Sequence, residues 1–255
     1  MMAKDLLKRI IPFPVRRWVR AQLLRLGRLI RRFRSRANIG SLRRTTPVSA
    51  NWGWSRGQPV NRYYIEKFLA EHAEDVRGHV LEFADDAYAR KFGGAKVTKV
   101  EVLDRQEGNA QATIVADLAR GEQIPSDTFD CIICTQVLQY VYDLQAAIRT
   151  LYRVLKPGGV VLVTTPGIQR IDPEGNALWG ECWHFTTLSL RRLFEEVFPK
   201  DHLSSKAYGN VLAATAFLYG FAREDLRGKD LDYPDSDYEV SITLRAVKPQ
   251  SFPKP

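Results

Sequence analysis

Cysteine is scarce in this chain. There are three among 255 residues, an odd number and too few for a disulfide framework. Cys131 and Cys134 have the spacing of many metal-binding pairs, but both fall within a short apolar run that reads as a buried strand. Residues three apart on a strand point to opposite faces, which is poor geometry for sharing an ion. All three thiols are therefore expected to be reduced in a cytoplasmic protein, with no metal site. Long apolar runs are missing as well. No stretch of 18 apolar residues occurs, and residues 211–222 are too short to cross a bilayer.

Acidic residues are nearly absent from one end. Residues 1–45 hold 14 Lys and Arg against Asp5 alone, a net of +13. The remainder holds 24 basic and 28 acidic residues, a net of −4, so the overall +9 belongs to an arm and not to the body. Pro12 and Pro14 interrupt the first apolar run, and from Val15 the pattern turns helical. At 100° per residue Val15, Trp18, Val19, Leu23, Leu26, Leu29, Ile30 and Phe33 form one stripe, while Arg16, Arg17, Arg20, Arg28, Arg31 and Arg32 lie on the other face. Such a helix suits peripheral contact with an anionic membrane surface, where each basic residue contributes about 1 kcal/mol. Organelle transit, nucleic-acid binding without sequence preference and docking to a partner use the same pattern and stay open. The apolar stripe favours the membrane, because phosphates would leave it unused, and no specific nucleic acid is expected as a partner.

Three segments follow from this pattern: a basic amphipathic arm over residues 1–36, a linker rich in Ser, Gly and Pro over 37–59, and a body over 60–250. The body is expected to open with a helix over 61–75. Strands are predicted at 80–83, 97–103, 112–115, 129–134 and 160–165, with a sixth at 205–208 and a last, alternating one at 238–247. Asp143 is placed to cap a helix whose apolar positions Leu144, Ala147, Ile148, Leu151, Tyr152 and Leu155 recur at three- and four-residue spacing. Lys156-Pro157-Gly158-Gly159 is read as its stop. Further helices are expected over 188–198 and 210–221. Strands alternating with helices, buried on both faces, give an α/β protein with a mainly parallel sheet.

The segment IPSDTFDCIICTQVL followed by LYRVLKPGGVVLVTTPG, within residues 122–167, closely resembles the back half of the class I S-adenosylmethionine-dependent methyltransferase domain. The resemblance implies a doubly wound Rossmann-like sheet of about seven strands with the last strand antiparallel, preceded here by the basic amphipathic helix. It also implies S-adenosylmethionine as cofactor, lying outside the carboxyl ends of the strands where strand order reverses. In the family the first turn carries an acid followed by three alternating glycines. In this chain, VLEFADDAYARKFGG supplies the acid as Glu82 but puts Ala84, Asp86 and Tyr88 at the glycine positions. Either the turn is rebuilt and still binds the cofactor, or binding is lost and the domain is a scaffold. Asp85 and Asp86 are compatible with the cofactor's ammonium and sulfonium, and would be poor neighbours for a pyrophosphate.

The same resemblance carries Glu101 to the end of the second strand for the ribose hydroxyls, with Asp104 the fallback. Asp117 is carried to the adenine amino group and Leu118 to the ring, and Thr135 and Gln136 to positions lining the cofactor. Arg56 reads as an exposed linker arginine, with closure over the cofactor carboxylate as the alternative. After the fifth strand, WHFTTLSLRRLFEEVF resembles the segment bordering the acceptor pocket. His184 is the candidate general base there, set against a histidine that only packs. Trp179 and Trp183 are candidates to stack on a sugar or aromatic acceptor, or to anchor the loop. SRGQPVNRYYIEKFL and AYGNVLAATAFLYG resemble bacterial methyltransferases of glycan assembly, which implies a small-molecule or glycan acceptor methylated on a sugar oxygen, at the inner face of the membrane. The rival reading is a catalytically silent subunit that binds a glycosyltransferase or another partner.

Overall fold

The structure is a computed structural model that describes residues 43–250. The basic arm and the first residues of the segment read as linker lie outside the described residues. Seven strands form one sheet in the order β3-β2-β1-β4-β5-β7-β6. They are β1 Gly78–Phe83, β2 Val97–Asp104, β3 Ile114–Val115, β4 Phe129–Thr135, β5 Leu155–Pro166, β6 Leu203–Tyr208 and β7 Ser241–Val247. Strands β1 to β5 pair in parallel, and β7 is inserted antiparallel between β5 and β6. Strand order reverses between β1 and β4, whose pairing sets Glu82 opposite Ile133. This is the doubly wound sheet that the sequence predicts.

Helices cover both faces. On one face α2 (Leu144–Val154) and α4 (Thr187–Glu195) lie against Leu81, Ile132, Cys134, Val161 and Val163. On the other, α1 (Val60–Glu71) and α5 (Val211–Leu218) lie against Val80, Cys131, Ile133, Val160 and Leu162. Cys131 and Cys134 thus belong to opposite cores, as strand alternation requires. The short helices α3 (Pro173–Leu178) and α6 (Gly228–Asp232) complete the body. Asp143 caps α2 as its sequence predicts, accepting the Ala146 amide at 2.9 Å.

Three expectations shift. Helix α2 stops at Val154, and Leu155 already pairs with Phe129, so Lys156-Pro157-Gly158-Gly159 forms an irregular start to β5 and not a loop after the helix. Strand β7 begins only at Ser241, and its first four residues are all buried, because a strand between two others under helices has no solvent face. Residues 46–59 belong to the folded unit and are not a free linker. Val48 donates to the Tyr219 carbonyl at 2.7 Å, the Trp52 and Phe217 rings are 5.3 Å apart, and Arg56 binds Asp225 through two hydrogen bonds of 2.6 and 2.8 Å.

Gly220 is what allows this segment to close on α5. It sits at φ +72°, and a Cβ there would run into the Ser49 carbonyl. Gly220→Ala is expected to lower the unfolding free energy by about 2 kcal/mol in urea titration, through backbone strain and loss of that contact.

Candidate cofactor and acceptor site

The carboxyl ends of β1, β4 and β5 lie side by side at the switch point, and the loops that leave them build the site. Glu82 on β1 is 2% exposed and receives the backbone amides of Tyr88 and Ala89 at 3.1 and 2.7 Å. Burial pushes its carboxyl pKa up to about 7, against the pull of those two donors. Glu82 therefore shapes the turn that follows it. In that turn Ala84 adopts φ +68°, the left-handed conformation that glycine takes without penalty. A bracket holds it there. The Ala84 amide donates to the Leu103 carbonyl at 3.1 Å, and its carbonyl accepts from Asn109 Nδ2 at 2.7 Å. Asn109 Nδ2 also donates to Asp104 at 2.8 Å. Asp85 accepts the Ala87 amide at 2.9 Å. Asp86 is tied to Arg90 by a hydrogen bond of 2.6 Å, so much of its charge is already matched.

The structure moves one acid. Strand β2 continues through Asp104, which leaves Glu101 in mid-strand, opposite Leu81. Lys99 lies 2.5 Å and His79 3.7 Å from the Glu101 carboxylate. Burial would raise its pKa, but the Lys99 and Thr113 hydrogen bonds hold it below the usual carboxylate range. Asp104, the fallback, stands at the carboxyl edge. Asp117 caps the turn after β3, accepting from Ala119 at 2.9 Å, and its other oxygen is 3.6 Å from Arg105. Leu118 is buried in the core beside Leu103. Thr135 ends β4 opposite Thr164, and Gln136, at φ +55°, donates its amide to the Thr164 carbonyl at 2.8 Å.

The loop after β5 folds back onto the loop after β4. Cys182 and Trp183 donate amides to the Gln139 carbonyl at 2.7 and 3.2 Å, and the Trp183 indole donates to the Val141 carbonyl at 3.1 Å. At the centre is Glu181, a residue sequence reasoning missed because nothing in its spacing marks it. Its side chain is 1% exposed and accepts from Gln169 at 2.8 Å and from the Asp172 amide at 2.7 Å. His184 Nε2 lies 3.1 Å from the same carboxylate. Asp172 in turn accepts from the Tyr140 hydroxyl at 2.9 Å. Trp179 packs edge-on against Tyr140, with ring centroids 5.3 Å apart. Two buried side-chain oxygens beside these loops, Gln139 Oε1 and Thr165 Oγ1, have no protein partner. A separate open groove of about 410 Å³, lined by Tyr63, Glu66, Lys67, Lys91, Phe92 and Arg223, contains none of the sequence-predicted residues.

With this geometry in view, comparison with known proteins is direct. Residues 72–163 match the family model described as "Methyltransferase domain". Residues 72–163 thus carry a methyltransferase domain. S-adenosylmethionine is the cofactor that goes with it. The chain is 30% identical over 157 residues to the ubiquinone/menaquinone biosynthesis C-methyltransferase UbiE of Escherichia coli K12 / DH10B, covering 62% of this chain and 49% of that protein. The Shigella boydii protein of the same name matches equally. The chain thus spans about half the length of the curated relatives it matches. Among solved structures, an S-adenosylmethionine-dependent methyltransferase from Mesorhizobium loti aligns at 18% identity and TM-score 0.46, over 74% of this chain and 98% of that one. A Haemonchus contortus phosphoethanolamine N-methyltransferase aligns at 16% and 0.48, over 72% and 53%. At those scores the fold assignment rests on the strand order itself.

The residues at the switch point fit the cofactor. Asp85 and Asp104 offer carboxylates at the edge where a cationic ligand with a ribose diol would lie, and Ala84 keeps the backbone in the conformation that close approach requires. Ala84→Gly is expected to raise stability by about 0.5–1 kcal/mol, since it relieves the left-handed penalty. Asn109→Ala should lower it by about 1–2 kcal/mol by opening the bracket. Chemical denaturation of the two variants checks both.

Proposed function

We propose that this chain transfers a methyl group from S-adenosylmethionine to an acceptor seated against the loops after β4 and β5. The observation that carries this reading is the set of polar groups at the switch point, with Ala84 held left-handed and Asp104 at the strand edge. When bound, the cofactor supplies a methyl already activated on a sulfonium. The chain's own part is to hold the reactants in line and keep water out. Asp85, Asp104 and Gln136 are the residues proposed to hold the cofactor, with Asp117 and Leu118 bordering the adenine end. His184 is the proposed proton acceptor. With Nε2–H donated to Glu181, the buried carboxylate fixes the orientation of the ring and leaves Nδ1 to take the proton.

For the acceptor, the loop favours an apolar or aromatic body. Gln169, Asp172 and Glu181 are tied together by hydrogen bonds, while Ile171, Leu178 and Trp183 remain exposed, the last with its ring 6.1 Å from that of Tyr142, which is 79% exposed. Similarity to a protein named as a ubiquinone/menaquinone C-methyltransferase supports methylation of such an acceptor at carbon. The second reading, O-methylation of a sugar in glycan assembly, draws support from the same Trp183–Tyr142 pair, which offers a face for a sugar ring. The arm is proposed to hold the protein at the cytoplasmic face of an anionic membrane, and a catalytically silent scaffold is the alternative to the enzyme.

Calorimetric titration with S-adenosylmethionine and S-adenosylhomocysteine separates the enzyme from the scaffold. Micromolar binding is expected, weakened about tenfold by Asp104→Ala and less than about twofold by Glu101→Ala, the equivalent of a lost charge-assisted hydrogen bond against a change in mid-strand away from the edge. A folded sample that binds neither ligand sinks the enzyme reading.

Glu82 gives the pH dependence. Its carboxyl is raised from 4.5 to about 7 in the folded protein, so its contribution to stability is full below 4.5 and is lost as pH rises towards 7. A cationic ligand favours the ionised form. Binding is therefore expected to tighten as pH rises through 7 and to release a proton, read as a buffer-dependent binding enthalpy.

A further inference from the structure

Helix α5 (VLAATAFL) carries no charged side chain. Ala213, Ala214, Ala216 and Phe217 fill its buried side, while Val211, Leu212 and Leu218 lie on the opposite side and are 53, 46 and 41% exposed. Thr215 falls between them and donates its hydroxyl to the Val211 carbonyl at 2.7 Å, so its polar group is engaged inside the helix. Exposed aromatic residues stand at both ends. Asn210, which caps α5, donates to the carbonyl of Tyr233 at 2.9 Å, and Tyr233 is 66% exposed. Trp54 is 56% exposed, two residues past the Trp52 ring that packs on Phe217. Three acids near these ends are matched by cations, Asp225 with Arg56, Asp230 with Arg227 and Asp232 with Lys67, while Asp235 and Asp237 make no salt bridge among the described residues. An uncharged aliphatic stripe between a Trp and a Tyr is the composition of a surface that enters the headgroup region of a bilayer.

We infer that this face of α5 is a lipid-contacting surface that seats on an anionic bilayer. The chain N-terminal to Thr46 selects that occupant. It carries a net charge of +13 and joins the folded unit two residues before Val48, whose amide is bonded to Tyr219 just past α5. A body of net charge −4 would be repelled by an anionic surface. A covalently joined cationic segment reverses that, and α5 then offers apolar area beside the junction. Single weak membrane signals bind reversibly, and two together give stable attachment. The surface is a property of the body and does not depend on methyl transfer.

The test is sedimentation of the full chain with vesicles of one part phosphatidylglycerol to three parts phosphatidylcholine, and with phosphatidylcholine alone. The probe variant combines Leu212→Asp with Leu218→Gln. Both positions are exposed, and an acid in the first turn of a helix is tolerated by its dipole, so melting should be unchanged. Partition onto the anionic vesicles is expected to fall about tenfold, as removal of two buried apolar side chains implies. A second full-length variant, with Arg16, Arg17 and Arg20 changed to Gln, should weaken binding separately and leave a further loss for the α5 changes to produce. The inference is overturned if wild type does not bind anionic vesicles, or if the α5 changes leave partition at the wild-type value. It is also overturned if they instead split a stable dimer on gel filtration, which would make a second copy of the chain the occupant.

Discussion

The central strands β1, β4 and β5 are covered by helices on both faces, and this constraint organises the rest of the molecule. A polar side chain on such a strand has room only at an end, so chemistry collects at the carboxyl edge. Glu82 is the exception that shows the rule. It lies on β1 with almost no exposure, and leaving a carboxyl there without partners would cost several kcal/mol. Two backbone amides from the following turn meet it. The buried acid and the turn thus define one another: the acid tolerates its site because the turn curls back, and the turn curls back because the acid is there.

That coupling explains how the turn survives without its glycines. A left-handed alanine costs roughly 1–2 kcal/mol. Here the cost is offset by hydrogen bonds that begin on β2 and in the segment after it, through the Leu103 carbonyl and Asn109. The backbone shape usually obtained from small residues is obtained from a bracket. A scaffold that had stopped binding the cofactor would have no need to hold Ala84 in a strained conformation with two separate groups. This geometry therefore weighs on the side of the enzyme.

What was legible in the sequence was what period and punctuation control. The order of strands and helices, the Asp143 cap and the two-faced burial of Cys131 and Cys134 all follow from side-chain alternation and capping chemistry. Strand ends were not legible in the same way. In the segment VEVLD both Glu101 and Asp104 are acids on one strand, and which of them reaches the edge depends on how far β1 and β3 pair alongside. That is a tertiary property, set by partners distant in sequence. The same holds for residues 46–59, whose Ser, Gly and Pro content marks a lack of regular structure but not a lack of contacts. Glu181 was invisible for a third reason. Its importance comes from burial inside a loop, and no periodicity records loop burial.

The acceptor loop carries this point into function. Read as a string, its first half is polar, and polarity invites a polar substrate. Folded, that polarity is consumed: Gln169 and the Asp172 amide bind Glu181, the Glu181 amide binds Asn176, and Asp172 receives Tyr140. A loop of this length has to satisfy its own backbone and buried side chains before it can offer anything to a ligand. Once it has done so, it presents Ile171, Leu178 and Trp183 outward, with Tyr142 near Trp183 and with Glu174, Asn176 and His184 also exposed. The chemical character of such a surface is set by the side chains left over after folding, and in this loop apolar and aromatic groups stand beside Glu174, Asn176 and His184.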